Sequence, residues 1–145
     1  IIKGLTRIKY KKQDYIELGN IDAYRDWGHA KDYVAGMWMM MQSNTPKDYV
    51  LATGHTITIK NFIIKAASIF GLDIEWSGKG INETGYCPQL QRIIIKIHPR
   101  YFRPAEVEFL RGDASLAKKD LGWEPKFTLN DLIVEMIEAA KNEII

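Results

Sequence analysis

The chain has 145 residues, 46% hydrophobic and 26% charged, a balance that suits an ordinary globular protein with a real core. A net charge of +2 is too small to mark a nucleic-acid surface by itself. No apolar run approaches the ~20 residues that span a bilayer. Cys87 is the single cysteine, so no intrachain disulfide can form, and with no CxxC partner it carries no expected chemistry.

The opening IIKGLTRIKYKK begins without Met and reads as mid-helix, which suggests a piece cut from a longer polypeptide. Ile1, Leu5 and Ile8 share one helical face ahead of a basic tail, Lys11 and Lys12. YIELGN predicts a short strand running into a turn. From His29 the spacing of Ala30, Val34, Met37, Trp38 and Met41 predicts a helix, which SNTPKD breaks. Packing is the default role for Met37 and Met41, and Trp27 and Trp38 are expected in the core. YVLATG is continuously apolar, as a buried strand would be.

Thr58 can cap a helix whose face is Ile59, Phe62, Ile63, Ala66, Ala67 and Phe70, and Gly71 can end it. LDIEW predicts a strand, SGKGINETGYCPQ a loop, RIIIKI a strand, and HPRYFRP an extended exit. Asp113 can cap a short helix with Leu116, Ala117 and Leu121 inward, and EPKF connects onward. Thr128 and Asp131 resemble a capping box with a short acid before a final helix marked by Leu132, Ile133, Met136, Ile137 and Ala140. Alternating strands and helices predict an α/β (mixed α+β) fold, with residues 1–145 forming one domain.

The chemistry-bearing motifs are few. GKGINETG is not placed between a strand and a helix, as a dinucleotide fingerprint must be, and ATGHTITI offers one glycine. His29, His55 and His98 are scattered without metal-ligand spacing. Two arginine segments remain, YRDWGHAKD and YFRPAEVEF. A planar guanidinium suits a diphosphate because it makes two parallel charge-assisted hydrogen bonds. Glu106, three residues after Arg103, could accept from sugar hydroxyls or base nitrogens. From the residues alone, Arg25–Asp26 and Arg103–Glu106 are open to two readings, structural ion pairs or parts of an anion clamp.

LGNIDAYRDWGHAKDYVAGMWMMMQ, DYVLATGHTITIKNFI and PRYFRPAEVEFLRGDASLAKKDLGWEPKFTL together resemble the C-terminal half of the GDP-mannose 4,6-dehydratase family. That family lies within the extended short-chain dehydrogenase/reductase superfamily. The resemblance covers nearly the whole chain and implies a GDP-sugar-binding domain. It implies that Arg25 and Arg103 bind the diphosphate and that Glu106 accepts from the ribose. Asp26 and Asp32 would orient the arginine and the helix start, and His29 could be a cap neighbour or a ligand contact. NADP and the catalytic groups would belong to an N-terminal Rossmann domain of the same polypeptide, since neither TGxxGxxG nor YxxxK occurs in these residues. No catalytic, cofactor-binding or metal residue is therefore assigned here, and the isolated chain is expected to be inactive.

The full enzyme would convert GDP-mannose to GDP-4-keto-6-deoxymannose, a GDP-fucose precursor, as a cytoplasmic lyase. It would be a homo-oligomer with neither nucleic-acid nor membrane partners. A related GDP-sugar reductase or epimerase, or a non-catalytic sugar-nucleotide-binding module, are the alternative functions.

Overall fold

Strand and helix boundaries follow from where backbone groups find partners. The computed structural model describes residues 1–103 and 107–144. The chain divides into two compact units: Ile1–Ala23, Thr58–Glu108 and Ile133–Ile145 form the first, Tyr24–Ile57 and Phe109–Leu132 the second. The fold is mixed α and β, as the alternation of elements predicts.

In the first unit, α3 (Ile59–Ile69) has both ends satisfied. The Thr58 hydroxyl accepts from Asn61 N–H at 3.1 Å. The preceding two amides donate elsewhere, Ile59 to the Ala23 carbonyl and Lys60 to the Ile21 carbonyl. At the other end Gly71 takes φ +67°, so that its N–H reaches Ser68 O and Leu72 N–H reaches Ala67 O. That pairing is the left-handed glycine stop expected at Gly71. Phe62, Ile63, Ala66 and Ala67 are buried on the helix face read from the sequence.

Helix α1 (Ile2–Lys9) buries Ile2, Leu5 and Ile8. Strand β1 (Ile16–Leu18) pairs in parallel with β6 (Arg92–Ile97), and β5 (Thr84–Cys87) lies antiparallel to both β6 and β4 (Glu75–Ser77). The sheet order is therefore β1-β6-β5-β4. Ile94 and Ile95 are both fully buried although they point to opposite faces, so β6 is covered on each side. Residues Ile133 to Ile144 of α5 (Leu129–Ile144) complete the unit with Ile133, Ile137 and Ala140 inward.

Two sequence expectations fail in this unit. SGKGINETGYCPQ contains strand β5 rather than forming a loop throughout. Gly85 makes the strand possible: a β-carbon there would meet Ile74 Cγ2 at 2.8 Å, and the ladder shifts register between Gly85 and Tyr86. HPRYFRP does not leave β6 extended. Pro99–Tyr101 forms a 3₁₀ turn, started by His98 Nδ1 accepting from Arg100 N–H at 3.1 Å.

In the second unit, α2 (Ala30–Gln42) ends where SNTPKD begins. Its buried residues are Asp32 and Gly36. The apolar series from the sequence faces outward, with Trp38 63% and Met41 77% exposed, so these are not core residues. YVLATG joins no ladder: strand structure in this region is instead β3 (Thr56–Thr58), which pairs with β2 (Tyr24–Asp26). Helix α4 (Ser115–Leu121) buries Ala117 and leaves Leu116 exposed. Thr128 and Asp131 form the expected reciprocal cap at the start of α5. Thr128 N–H donates to the carboxylate at 2.8 Å, and Asp131 N–H to the hydroxyl at 3.2 Å.

Gly36 tests the packing of α2 directly. Helix propensity alone would make Gly36→Ala stabilising by up to about 1 kcal/mol. A β-carbon there, however, would lie 2.6 Å from Leu51 Cδ1 and 2.9 Å from Trp123 Nε1. Overpacking of a held side chain typically costs about 1–3 kcal/mol, so the substitution is expected to be net destabilising by urea titration. A gain in stability would contradict this packing.

Candidate functional site

Arg25 lies in the middle of β2, half-buried, with Nη1 donating to the Tyr24 carbonyl at 2.7 Å. The strand is braced at Tyr24, which bridges Phe109 in parallel with ring centroids 5.6 Å apart. Its other end is held by Asp26. One carboxylate oxygen accepts from Thr53 N–H at 3.0 Å and from the Thr53 hydroxyl at 2.6 Å. The other accepts from Gly54 N–H at 2.8 Å. Asp26 thus serves the Thr53–Gly54 turn, where Gly54 adopts φ +75°. This agrees with an orienting role for Asp26.

The residues after β2 set the entrance of α2. His29 is its N-cap: Nδ1 accepts from Lys31 N–H at 3.1 Å, and the ring stacks on Phe127 at 4.3 Å. The structural alternative for His29 is therefore realised in its buried ring. Asp32 is also buried. Its carboxylate accepts from Phe127 N–H at 3.1 Å, while its backbone carbonyl accepts from Trp123 Nε1 at 2.8 Å. Together these contacts fasten the start of α2 to residues 123–127.

Gly28 leaves room for the Tyr33 hydroxyl, which a β-carbon would meet at 1.9 Å. Burial pushes the Tyr33 phenol up, and the carboxylates of Asp26 and Asp32 push it further the same way. Tyr33 is accordingly neutral at ordinary pH, its ring stacked on Trp123 with centroids 6.4 Å apart.

Beside β2 is a cleft of about 420 Å³ walled by Trp27, Thr53, Ile57, Phe127 and Leu129. His55 reaches both this cleft and a groove of about 680 Å³ that includes Arg111, Asp113 and Lys118. Of this second group, sequence spacing marks only Asp113, and as a helix cap. Asp113 is occupied in starting α4: it accepts from Ser115 N–H at 2.9 Å, and that bond holds its carboxyl below the usual range. Lys118 pairs with Glu124.

Arg103 belongs to the first unit and is exposed. The backbone leading to it is tightly seated. His98 N–H donates to Leu18 O at 2.9 Å, and a β-carbon on Gly19 would fall 2.0 Å from Tyr101 O. Only glycine permits that approach. Glu106 lies outside the described residues. Cys87 is buried, with Sγ 3.3 Å from Gln89 Oε1.

Strand β4 runs through Gly78, Lys79 and Gly80 into a single 3₁₀ turn (Gly80–Asn82), and β3 passes into α3 through Thr58 itself. Among the described residues no helix is long and apolar enough to cross a membrane.

Comparison with known proteins gives a consistent result. A family model described as GDP-mannose 4,6 dehydratase matches residues 1–136. A GDP-mannose 4,6 dehydratase of Drosophila melanogaster is 45% identical over 139 residues, covering 96% of this chain and 35% of the relative. The Sinorhizobium fredii (strain HH103) protein of that description is 46% identical over 137 residues, covering 94% and 39%. The Homo sapiens protein is 40% identical over 139 residues, covering 96% and 37%.

Among solved structures, RMD from Pseudomonas aeruginosa complexed with NADPH superimposes with a TM-score of 0.75 at 18% identity, over 98% of this chain and 41% of that one. A UDP-glucose 4-epimerase from Thermotoga maritima with UDP-glucose gives a TM-score of 0.69 at 19% identity, over 98% and 39%. These structures support the fold. The chain spans less than half the length of each relative.

Asp26→Asn checks the anchor of β2. At least one of the three donors would then face an amide N–H₂ in place of an oxygen. The expected loss is about 1–3 kcal/mol, read from the urea midpoint at unchanged m-value. Wild-type stability would show that the anchor is dispensable.

Proposed function

The chain belongs to the GDP-mannose 4,6-dehydratase family, and on that premise we propose that it is the GDP-sugar-binding portion of a longer dehydratase. The observation that carries this reading is identity of 40–46% along 94–96% of the chain with proteins of that description, extending through both arginine segments. The alternative of a related reductase or epimerase is supported only by fold-level likeness at 18–19% identity. A non-catalytic module has no observation in its favour.

In this reading Arg25 and Arg103 hold the diphosphate of GDP-mannose, and Glu106 accepts from the ribose hydroxyls. The geometry around Arg25 supports its role. A guanidinium rising from a strand braced at both Tyr24 and Asp26 loses little freedom on meeting an anion. The cleft that includes Trp27 and Phe127 offers apolar wall and aromatic surface to a nucleotide sugar.

The chain's own contribution is to bind and orient substrate. NADP, which supplies hydride transfer when bound, is assigned to the N-terminal Rossmann domain, as are the acid and base groups. The product is GDP-4-keto-6-deoxymannose, a GDP-fucose precursor. A cytoplasmic homo-oligomer completes the proposal.

In the full-length protein, Arg25→Ala is expected to weaken GDP-mannose binding about 10- to 150-fold, the equivalent of one charge-assisted hydrogen bond. NADP affinity should be unchanged. Arg25→Lys should recover only part, because an ammonium cannot make the paired contact. Calorimetric titration of both ligands measures this. Unchanged GDP-mannose affinity, or equal loss of both ligands, would contradict the assignment.

A further inference from the structure

Arg103 is exposed and its side chain is long, so its value to a diphosphate depends on how firmly the backbone beneath it is held. Successive ties hold that backbone within the first unit. The β1–β6 ladder ends at the pair Leu18 and Ile97, and His98 N–H then donates to Leu18 O at 2.9 Å. The His98 carbonyl accepts from Tyr101 N–H at 3.0 Å and from Phe102 N–H at 3.2 Å. Tyr101 O sits directly on Gly19, where a β-carbon would lie 2.0 Å from it.

Arg103 is the next residue after the tied Phe102 amide. It lies two residues beyond the seated Tyr101 carbonyl, and two residues of chain span at most about 7 Å. It also precedes Pro104, which disfavours the helical region for the residue before it. The root of the guanidinium is therefore set by the Pro99–Tyr101 turn.

That turn depends on His98, a residue whose position in the sequence suggested no task. Its N–H and carbonyl are both engaged, and so is its ring. Nδ1 accepts from Arg100 N–H at 3.1 Å, and the ring tilts against Tyr101 with centroids 5.5 Å apart. An amide at the start of a helical turn has no acceptor within the turn, and here the imidazole supplies one. The chain makes the same bond, from a residue to the amide two positions on, with an ordinary capping side chain: Asn20 Oδ1 accepts from Asp22 N–H at 3.0 Å.

We propose that His98 is a positioning residue for Arg103. Its ring nitrogen keeps the Pro99–Tyr101 turn closed in the free protein, so that Arg103 meets an anion from a preset base. His98 acts through the turn and needs no contact with substrate. With the cap removed, ordering of the segment that carries Arg103 falls on the binding step and lowers affinity. The inference rests on the reading of Arg103 as a ligand of the diphosphate.

The test is calorimetric titration of GDP-mannose and NADP into the full-length protein and its variants. Arg103→Ala is expected to weaken GDP-mannose binding about 10- to 150-fold. His98→Ala should weaken it about 3- to 10-fold, with NADP affinity unchanged. His98→Asn, which keeps an acceptor at the cap, should restore affinity to within about twofold of wild type. In the Arg103→Ala background, His98→Ala should add less than about twofold, because the group it positions is gone. Wild-type affinity in His98→Ala would overturn the proposal. So would an undiminished effect of His98→Ala without Arg103, a parallel loss of NADP affinity, or failure of His98→Asn to restore binding. If Arg103→Ala itself binds GDP-mannose normally, the diphosphate reading of Arg103 fails and the positioning role fails with it. A weakened Arg103→Ala beside an unaffected His98→Ala rejects the positioning role alone.

Discussion

Asp26 is the constraint on which the second unit's candidate site depends. Its two oxygens accept three hydrogen bonds from Thr53 and Gly54. The carboxylate thereby fixes the end of β2 against a turn 27 residues away in sequence. Arg25 is the neighbouring residue, so its backbone position follows from that anchor. A bidentate cation is useful for recognition only when its base is fixed, because ordering a long side chain at binding reduces affinity. The adjacent charges in YRDW thus serve different tasks: Asp26 organises the protein, and Arg25 is proposed to meet the ligand.

A second carboxylate repeats the logic at the helix. Asp32 is buried, and its side chain and backbone carbonyl accept from Phe127 and Trp123. His29 caps the same helix while its ring rests on Phe127. Buried polar groups are tolerable only when satisfied, and here each tie joins separate stretches of chain. The resulting cleft beside Trp27 is therefore set by polar anchors as much as by apolar packing.

The local caps were legible in the sequence because they depend on neighbours along the chain. Thr58, Gly71 and the Thr128–Asp131 pair do what their spacing predicts. The failures have a shared cause: burial and ladder pairing depend on partners elsewhere in the fold. Trp38 and Met41 have core-like spacing but face outward, and YVLATG has strand-like composition without a ladder. GYC lacked a strong apolar alternation, yet Gly85 admits the close packing that makes it a strand. His29, Asp26 and Asp32 were visible as candidates near a helix start. Their tasks could not be separated without knowing that Thr53, Trp123 and Phe127 supply the partners.

The most direct measurement is a structure of the full-length protein with GDP-mannose bound. The account predicts guanidinium nitrogens of Arg25 and Arg103 within about 2.7–2.9 Å of diphosphate oxygens, the range of charge-assisted hydrogen bonds. Asp26 should remain on Thr53 and Gly54. A diphosphate held by other residues, with Arg25 directed away from it, would contradict the account.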